Sequence, residues 1–342
     1  MHQPLRLTCS RGRLVANWKW LSARAGVTCG AAIKADAYGL GARSVLAALA
    51  EAGCRDFFVS TWREAEELGR WAAGTSVSVL HGVGPDDLAL ALASPCKPIL
   101  NTALQVARWK DAAPDRPCEV MIDTGMNRLG LRPEEAHLLS GLKIDTLHSH
   151  LACADQDHPL NARQLARFSE ARAAIHARRY SLANSAGILL GEKYSFDLVR
   201  PGLALYGGIP RSEARGHILP VAELQAQVVQ RRMIPAGESC GYGALFQAER
   251  PTEAAIANIG YADGYSRDLS GVGSARYRNL QLPVLGRVSM DLVALGCDDC
   301  PDLAEGAWVK FDFELEEVSR QSGKSQYEIL TNLGRRYARN WR

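Results

Sequence analysis

The 342-residue sequence has no long hydrophobic run, and no segment approaches the ~18 consecutive apolar residues of a membrane-spanning helix. Its N-terminal segment, MHQPLRLTCSRGRL, has no apolar signal-peptide core, so we expect a cytoplasmic protein. The 40 basic and 37 acidic residues nearly balance, and neither sign forms the long block of a nucleic-acid-binding arm. We therefore expect a small-molecule partner, with no nucleic acid and no membrane.

Lysine is scarce, since only eight of the 40 basic residues are lysines and 32 are arginines. Arginine does not lose its proton in a protein, whereas lysine can become a neutral nucleophile. A lysine at an unusual place in the fold is therefore a candidate functional residue.

The nine cysteines are scattered and lie mostly in apolar segments, which is typical of reduced, buried thiols. The one close pair, Cys297 and Cys300, could be redox-active or half of a zinc site. Because no second pair and no nearby histidine accompany it, we expect no metal site there.

Short apolar segments alternate with amphipathic ones between about residues 27 and 200. Eight strands are predicted, at 27–33, 56–60, 76–81, 97–100, 118–123, 145–150, 178–183 and 195–200. Strands that alternate with helices in this number predict an α/β fold, an eight-stranded parallel (β/α) barrel.

The alternation ends after Gly208, where apolar runs are separated by turn-rich segments such as PAGESCGYG. This pattern predicts a smaller, mainly antiparallel β domain, closed by one helix around Gln326 to Leu333. We place the barrel at residues 1–220 and the β domain at residues 221–342. A further strand, Leu5 to Thr8, is expected without a domain assignment.

Functional groups of such barrels gather at the C-terminal ends of the strands. The first predicted strand ends in Lys34, which is either an ion-paired structural residue or a functional amine, and its position favours the amine. The last four strands end in or lead to Arg128, His150, Ser185 and Arg200.

Ser185 and the turn at Gly202 and Leu203 offer hydroxyl and backbone N–H donors of the kind that hold a phosphate late in a barrel. Each of them alone is as typical of a plain helix cap or turn. Together with Lys34 they indicate a phosphorylated carbonyl cofactor, pyridoxal 5′-phosphate, held by a Schiff base.

Eight motifs in order also match one family, namely AAIKADAYGLG, IDTGMNRLG, HSHLACAD, LANSAG, VRPGLALYGG, CGYGALF, IGYADGY and GRVSMD. On these motifs the chain resembles the alanine racemase family over nearly its full length. The resemblance implies a pyridoxal-phosphate enzyme with a barrel and a β domain, which interconverts L- and D-alanine.

The resemblance implies two catalytic bases. Lys34 matches the lysine that bonds the cofactor and exchanges a proton on one face of the substrate Cα, and Tyr242 matches the base on the opposite face. Inverting a stereocentre through a planar carbanion needs a proton donor on each side. In this family the tyrosine comes from the partner subunit, so a homodimer with shared active sites is implied. Without the resemblance, Tyr242 would be interpreted as a hairpin tyrosine packed at a glycine turn.

The resemblance also assigns cofactor contacts. Arg200 matches the arginine that faces the cofactor's ring nitrogen and leaves it unprotonated, and His150 matches the residue that hydrogen-bonds this arginine. The phosphate contacts are matched by Tyr38, Ser185 and the backbone of Gly202 and Leu203.

Substrate contacts are implied in the same way. Arg128 matches an arginine near the cofactor's phenolic oxygen and the substrate carboxylate. Met290 and Asp291 match the partner-supplied wall of the substrate pocket, and Tyr261 and Asp155 match residues that line the entrance.

Two positions depart from the family pattern. Many relatives carry a carbamylated lysine that buttresses the arginine, where this chain has Met121, so Arg128 must be held in another way. Many relatives also end in a tyrosine that reaches the phosphate, and the nearest equivalents here are Trp341 and Tyr337.

Several alternatives remain. A metal-dependent barrel hydrolase could use His148, His150, Asp155, Asp157 and His158 as ligands, but no carboxylate or histidine ends the first or fourth strand. A non-catalytic pyridoxal-phosphate-binding protein would need Lys34 but no second base. A decarboxylase of related architecture is disfavoured because its glycine-rich phosphate loop is not found. A broader alanine and serine racemase is also compatible, because small pockets discriminate modestly.

Overall fold

The structure is a computed structural model that describes residues 3–342. The chain divides into two compact units, of which one comprises Leu14–Leu219 and the other the described residues up to Arg13 together with Pro220–Arg342. Within residues 3–342, no helix combines the length and the apolar character that crossing a membrane requires.

The first ten strands in chain order are β1 (Leu5–Cys9), β2 (Thr28–Cys29), β3 (Ala31–Ala32), β4 (Asp56–Val59), β5 (Ser76–Val79), β6 (Lys97–Leu100), β7 (Cys118–Met121), β8 (Ile144–His148), β9 (Arg179–Ser181) and β10 (Leu198–Val199). Strands β3 to β9 form one parallel sheet in sequence order. β10 pairs in parallel with β2, and the Asp197 N–H donates to Tyr180 O of β9 at 3.0 Å. The predicted eight-stranded parallel barrel is therefore confirmed.

The first predicted strand is present as two short pieces, β2 and β3, on either side of Gly30. A Cβ at Gly30 would lie 2.7 Å from Asp56 O, so only glycine lets the backbone of β4 come this close. The interruption is the consequence of that close approach.

The α-helices that connect these strands span Arg11–Ala25, Ala42–Glu51, Trp62–Glu67, Leu88–Ala93, Ala103–Ala112 and Pro159–Ala174. Two of them begin at threonine caps, because Thr61 Oγ1 accepts the Glu64 N–H and Thr102 Oγ1 accepts the Gln105 N–H, both at 3.2 Å. Residues Pro133–Leu139 form a 3₁₀ helix.

The remaining strands are β11 (Ala222–Ile234), β12 (Ser239–Cys240), β13 (Phe246–Gln247), β14 (Thr252–Ala257), β15 (Ser274–Tyr277), β16 (Leu280–Leu285), β17 (Val293–Gly296), β18 (Trp308–Phe311) and β19 (Ala338–Trp341). β11, β14, β17, β16, β15 and β18 form a closed antiparallel ring, and the long strand β11 closes it by pairing with both β14 and β18. The predicted, mainly antiparallel β domain is thus confirmed.

The N-terminal strand β1 lies in the β domain, although residues 1–220 were predicted to form the barrel. It pairs antiparallel with β11 and parallel with β19. Leu5, Leu7 and Cys9 are buried while Arg6 is exposed, so the alternating side chains of β1 contribute to the core of this domain.

The C-terminal region contains more elements than predicted. The single helix expected around Gln326 is preceded by a second helix, so that Leu315–Ser322 and Gln326–Thr331 are both helical. Strands β16 and β17 are separated by the loop at Gly286.

Candidate functional site

Lys34 begins a strained turn directly after β3. Residues 35–38 have φ values between 51° and 56°, so four consecutive non-glycine residues are left-handed. Such residues cost roughly 1–2 kcal/mol each, and they persist only where the surroundings hold them. The Ala35 N–H donates to Glu64 Oε1 at 2.8 Å, and Asp36 Oδ1 accepts the Ala42 N–H at 2.7 Å. Side-chain carboxylates thus hold both ends of the turn.

The surroundings of Lys34 favour its neutral form. Burial lowers the pKa of the Lys34 amine, and the positive charges of Arg128 and Arg200 lower it further, while the charge of Glu64 opposes them. Within residues 3–342, no carboxylate forms an ion pair with Lys34. The arrangement therefore increases the fraction of nucleophilic, unprotonated amine at a given pH.

Arg200 is a buried guanidinium at the end of β10. It donates to Ser149 O at 2.7 Å and to Ser181 Oγ. Burial lowers its pKa to about 10, against the opposing charge of Glu119, so it remains protonated at neutral pH. It is a hydrogen-bond donor that does not give up its proton under these conditions.

His150 lies in the electric field of the same cations. Burial, Arg200, Arg128 and Lys34 together lower its pKa to about 3, so the ring is neutral at neutral pH. The expected hydrogen bond between this ring and Arg200 is not formed in the part of the chain that the structure describes. The guanidinium instead contacts Ser149 and Ser181.

A buried glutamine links the loops that follow β7 and β8. Gln164 Nε2 donates to Thr124 Oγ1 at 3.2 Å and to His150 O at 2.8 Å, and its Oε1 accepts the Ala152 N–H at 2.9 Å. Thr124 and Ser149 share a hydrogen bond of 2.7 Å between their hydroxyl groups. The backbone at Ser149, whose carbonyl accepts a hydrogen bond from Arg200, is thereby fixed to the loop that leads to Arg128.

The phosphate contacts implied by the resemblance also lie together. Ser185 Oγ accepts the N–H groups of Gly202 at 2.9 Å and Ala204 at 3.2 Å, and Leu203 lies between these two donors. A Cβ at Gly202 would lie 2.2 Å from Tyr38 Oη, so the tyrosine hydroxyl occupies the space that only glycine leaves free. Hydroxyl and N–H donors near uncompensated cations suit an anionic group such as a phosphate monoester.

Tyr242 stands on the β12–β13 hairpin of the other unit and is 71% exposed. This exposure does not fit the alternative of a hairpin tyrosine packed at a glycine turn. Gly241 and Gly243 flank it with φ values of 76° and 72°, which favour glycine. The hairpin lies close to the loop that precedes Met290. A Cβ at Gly286 in that loop would lie only 2.5 Å from Cys240 O of the hairpin.

Tyr261, Met290 and Asp291 form a second group within the β domain. The Tyr261 N–H donates to Ser289 O at 3.1 Å, and Arg336 joins buried Asp263 at 2.7 Å and Asp291 at 2.7 Å. Tyr261 and Met290 are exposed, like Tyr242. The two segments expected to come from a partner subunit, at Tyr242 and at Met290 and Asp291, thus lie in one domain with the entrance residue Tyr261, and all three segments carry an exposed tyrosine or methionine.

The structure shows the surroundings of the two positions that depart from the family pattern. Met121 is buried at the end of β7, and Arg128 is exposed, with no hydrogen bond or ion pair to another residue in the range 3–342. Tyr337 is buried and its hydroxyl has no partner among the described residues, whereas Trp341 lies on β19 opposite Cys9. Asp155 is exposed in the loop after β8.

The ligand set of a metal hydrolase is not assembled, since the described part of the chain contains no group of three or more His, Cys, Asp or Glu side chains that could hold a metal ion. His148 is instead buried against Glu119, with 2.7 Å between Nε2 and Oε2.

Glu64, Gln164 and Glu119 were not found from the sequence. Thr61 and Glu64 have the spacing of a helix capping box, which was the available signal for Glu64. Gln164 and Glu119 act through buried contacts between distant segments, for which the sequence has no periodic signal.

A barrel with a strand-end lysine among uncompensated arginines, followed by an antiparallel β domain, defines a class of barrel enzymes suited to an anionic carbonyl cofactor. Residues 9–210 match the family model described as the alanine racemase N-terminal domain, and residues 221–341 match the C-terminal domain. The chain belongs to the alanine racemase family.

Curated relatives support the same family assignment. The catabolic alanine racemase of Agrobacterium fabrum is 42% identical, over 98% of this chain and 91% of the relative. The biosynthetic alanine racemase of the same organism is 38% identical, over 99% of this chain and 94% of the relative.

Among solved structures, alanine racemase from Bartonella henselae with covalently bound pyridoxal phosphate has a TM-score of 0.92 and 34% identity, and the match covers all of both chains. Alanine racemases are isomerases that interconvert L- and D-alanine with pyridoxal 5′-phosphate, so the predicted reaction and cofactor are confirmed at the level of the family.

The space at Gly202 gives a test of the phosphate contacts. Gly202→Ala should displace Tyr38 and weaken binding of pyridoxal 5′-phosphate by about tenfold or more, the effect of one lost hydrogen bond to a charged group. The measurement is an absorbance titration of cofactor-free protein. Gly12→Ala is the control, because no heavy atom lies within 4 Å of the added Cβ. Equal affinity of the Gly202 and Gly12 variants would contradict the assignment.

Proposed function

We propose that this protein interconverts L- and D-alanine with Lys34 and Tyr242 as the two proton-exchanging groups, in a homodimer whose active sites are shared between subunits. The observation that carries the proposal is the position of Lys34. Its amine is largely buried at a strand end, has no carboxylate pair among residues 3–342 and has a lowered pKa. These are the properties of a functional amine rather than a structural cation.

The chain's own groups suit the cofactor. We assign Tyr38, Ser185 and the backbone of Gly202 and Leu203 to its phosphate, and Arg200 to its ring nitrogen. When bound, pyridoxal 5′-phosphate withdraws electrons from the substrate Cα and so makes its proton acidic. Arg200 keeps its own proton, which leaves the ring nitrogen unprotonated and limits side reactions.

Lys34 Nζ takes or returns the Cα proton on one face of the substrate. Its lowered pKa brings the amine closer to the pH at which it can both accept and donate a proton. The left-handed turn restricts where the amine can lie, and the neutral ring of His150 adds no further positive charge beside it.

Tyr242 Oη exchanges the proton on the opposite face. Its exposure, together with that of Tyr261 and Met290, supports a role in which these side chains are covered by a second subunit. Met290 and Asp291 would then form the wall of the partner's substrate pocket, and Tyr261 and Asp155 its entrance. The proton removed from one face and the proton delivered to the other balance, so no oxidant or reductant is needed.

Arg128 is assigned to the substrate carboxylate. It is exposed and has no partner in residues 3–342, so its guanidinium is available for a bidentate contact with an amino-acid carboxylate. Met121 cannot supply the negative charge that a carbamylated lysine would place there.

The nine cysteines are all free, which supports a reducing compartment, the cytoplasm, as the site of action.

Lys34→Ala tests the cofactor assignment. The wild-type protein should retain pyridoxal 5′-phosphate on the peptide that contains Lys34 after borohydride reduction, as measured by peptide mass spectrometry, because reduction makes the bond to the amine stable. Lys34→Ala should show no such mass, and Lys19→Ala, which removes an exposed lysine, should behave as wild type. Cofactor fixed at another residue of the Lys34 variant would sink the assignment.

Tyr242→Phe tests the second base. Entry of solvent deuterium at Cα, followed by NMR, should be lost by about a hundredfold for one alanine enantiomer and much less for the other, because each face has its own proton-exchanging group. Tyr327→Phe, at an exposed tyrosine of a C-terminal helix, is the matched control. Equal loss for both enantiomers would argue against a face-specific role.

A further inference from the structure

We propose that Glu64 is a positioning residue for Lys34, because its carboxylate holds the strained turn that begins at Lys34 against the end of strand β4. The inference rests on the proposed function of Lys34. Glu64 touches neither substrate nor cofactor in this proposal, and it acts through the backbone on either side.

The two oxygens of the Glu64 carboxylate are both used by backbone donors. Oε1 accepts the Ala35 N–H at 2.8 Å, and Oε2 accepts the Ser60 N–H at 2.6 Å. Hydrogen bonds to an ionised acceptor are shorter and stronger than those between neutral groups. A single side chain therefore joins the residue after Lys34 to the residue after β4.

These contacts continue the strand pairing beyond the point where the strands separate. β3 and β4 pair up to Ala32 and Phe58, and the Ile33 N–H donates to Phe58 O at 2.9 Å. The chain then turns left-handed at Ala35, and two backbone N–H groups beyond the strand ends, those of Ala35 and Ser60, donate to the same carboxylate. Glu64 thus binds two backbone segments that would otherwise diverge.

The support of Glu64 is itself rigid. It lies in the helix Trp62–Glu67, whose Thr61 cap accepts the Glu64 N–H. Trp62 is buried and its indole N–H donates to Gly82 O at 2.7 Å. A carboxylate on such a support can offset part of the cost of four consecutive left-handed residues, which is roughly 1–2 kcal/mol for each.

The charge of Glu64 has a second effect on the same amine. It raises the pKa of Lys34, in opposition to burial, Arg128 and Arg200. This effect is separable from the hydrogen bonds, because Asp at this position would keep the charge but would be one methylene too short to reach both N–H groups.

The test compares Glu64→Gln, Glu64→Asp and the control Glu66→Gln, at an exposed glutamate of the same helix. Hydrogen exchange of the full-length holoenzyme, read by mass spectrometry, should show about tenfold faster exchange in residues 34–38 of both Glu64 variants, as expected for losing a hydrogen bond to a charged group. kcat should fall by about ten- to a hundredfold, while KM changes by less than about twofold. Glu66→Gln should match the wild type in both measurements.

Three outcomes would overturn a claim. Wild-type exchange of residues 34–38 in Glu64→Gln, with Lys34 confirmed as the cofactor lysine, would overturn the inference alone. Equally faster exchange throughout the barrel would show a general loss of stability and also overturn it. Faster exchange of the turn, together with cofactor that remains fixed elsewhere in Lys34→Ala, would contradict the proposed function and with it the role of Glu64.

Discussion

Positive charge that no carboxylate neutralises is the constraint on which the barrel end of the site depends. Arg128 and Arg200 lower the pKa of Lys34 there, and none of these three residues has an ion-pair partner within the described residues 3–342. The shared charge and burial lower the pKa of Lys34 and hold that of His150 at about 3. The same charge makes the site suited to a phosphate and a carboxylate, which are the anionic groups of the cofactor and the substrate.

The fold keeps two of these cations, Arg200 and Lys34, in place with hydrogen bonds rather than ion pairs. Arg200 is held by Ser149 and Ser181, and Gln164 ties the loops around it. Lys34 is held by a left-handed turn whose strain is balanced by carboxylate contacts to the backbone. An ion pair at Lys34 would hold the amine in its charged form. Without one, the amine stays unpaired and reactive.

Much of this could be predicted from the sequence, because strand ends in a parallel barrel converge. Lys34, Ser185 and Arg200 were identified from their positions after apolar runs, and the resemblance added the residues of the β domain. The left-handed turn could not be predicted, because KADAY contains no glycine to signal a positive φ. The place of β1 in the β domain was also missed, since a five-residue strand gives no indication of which sheet it joins.

We propose that a complete active site needs Lys34 from one subunit and Tyr242 from another. The most direct measurement mixes inactive Lys34→Ala and Tyr242→Ala proteins, exchanges their subunits and assays racemisation. About a quarter of the wild-type activity should return, because about half of the randomly formed dimers are mixed and each mixed dimer contains one intact site. If activity stays at the level of the separate variants although mixed dimers are present, Lys34 and Tyr242 do not act across the subunit boundary.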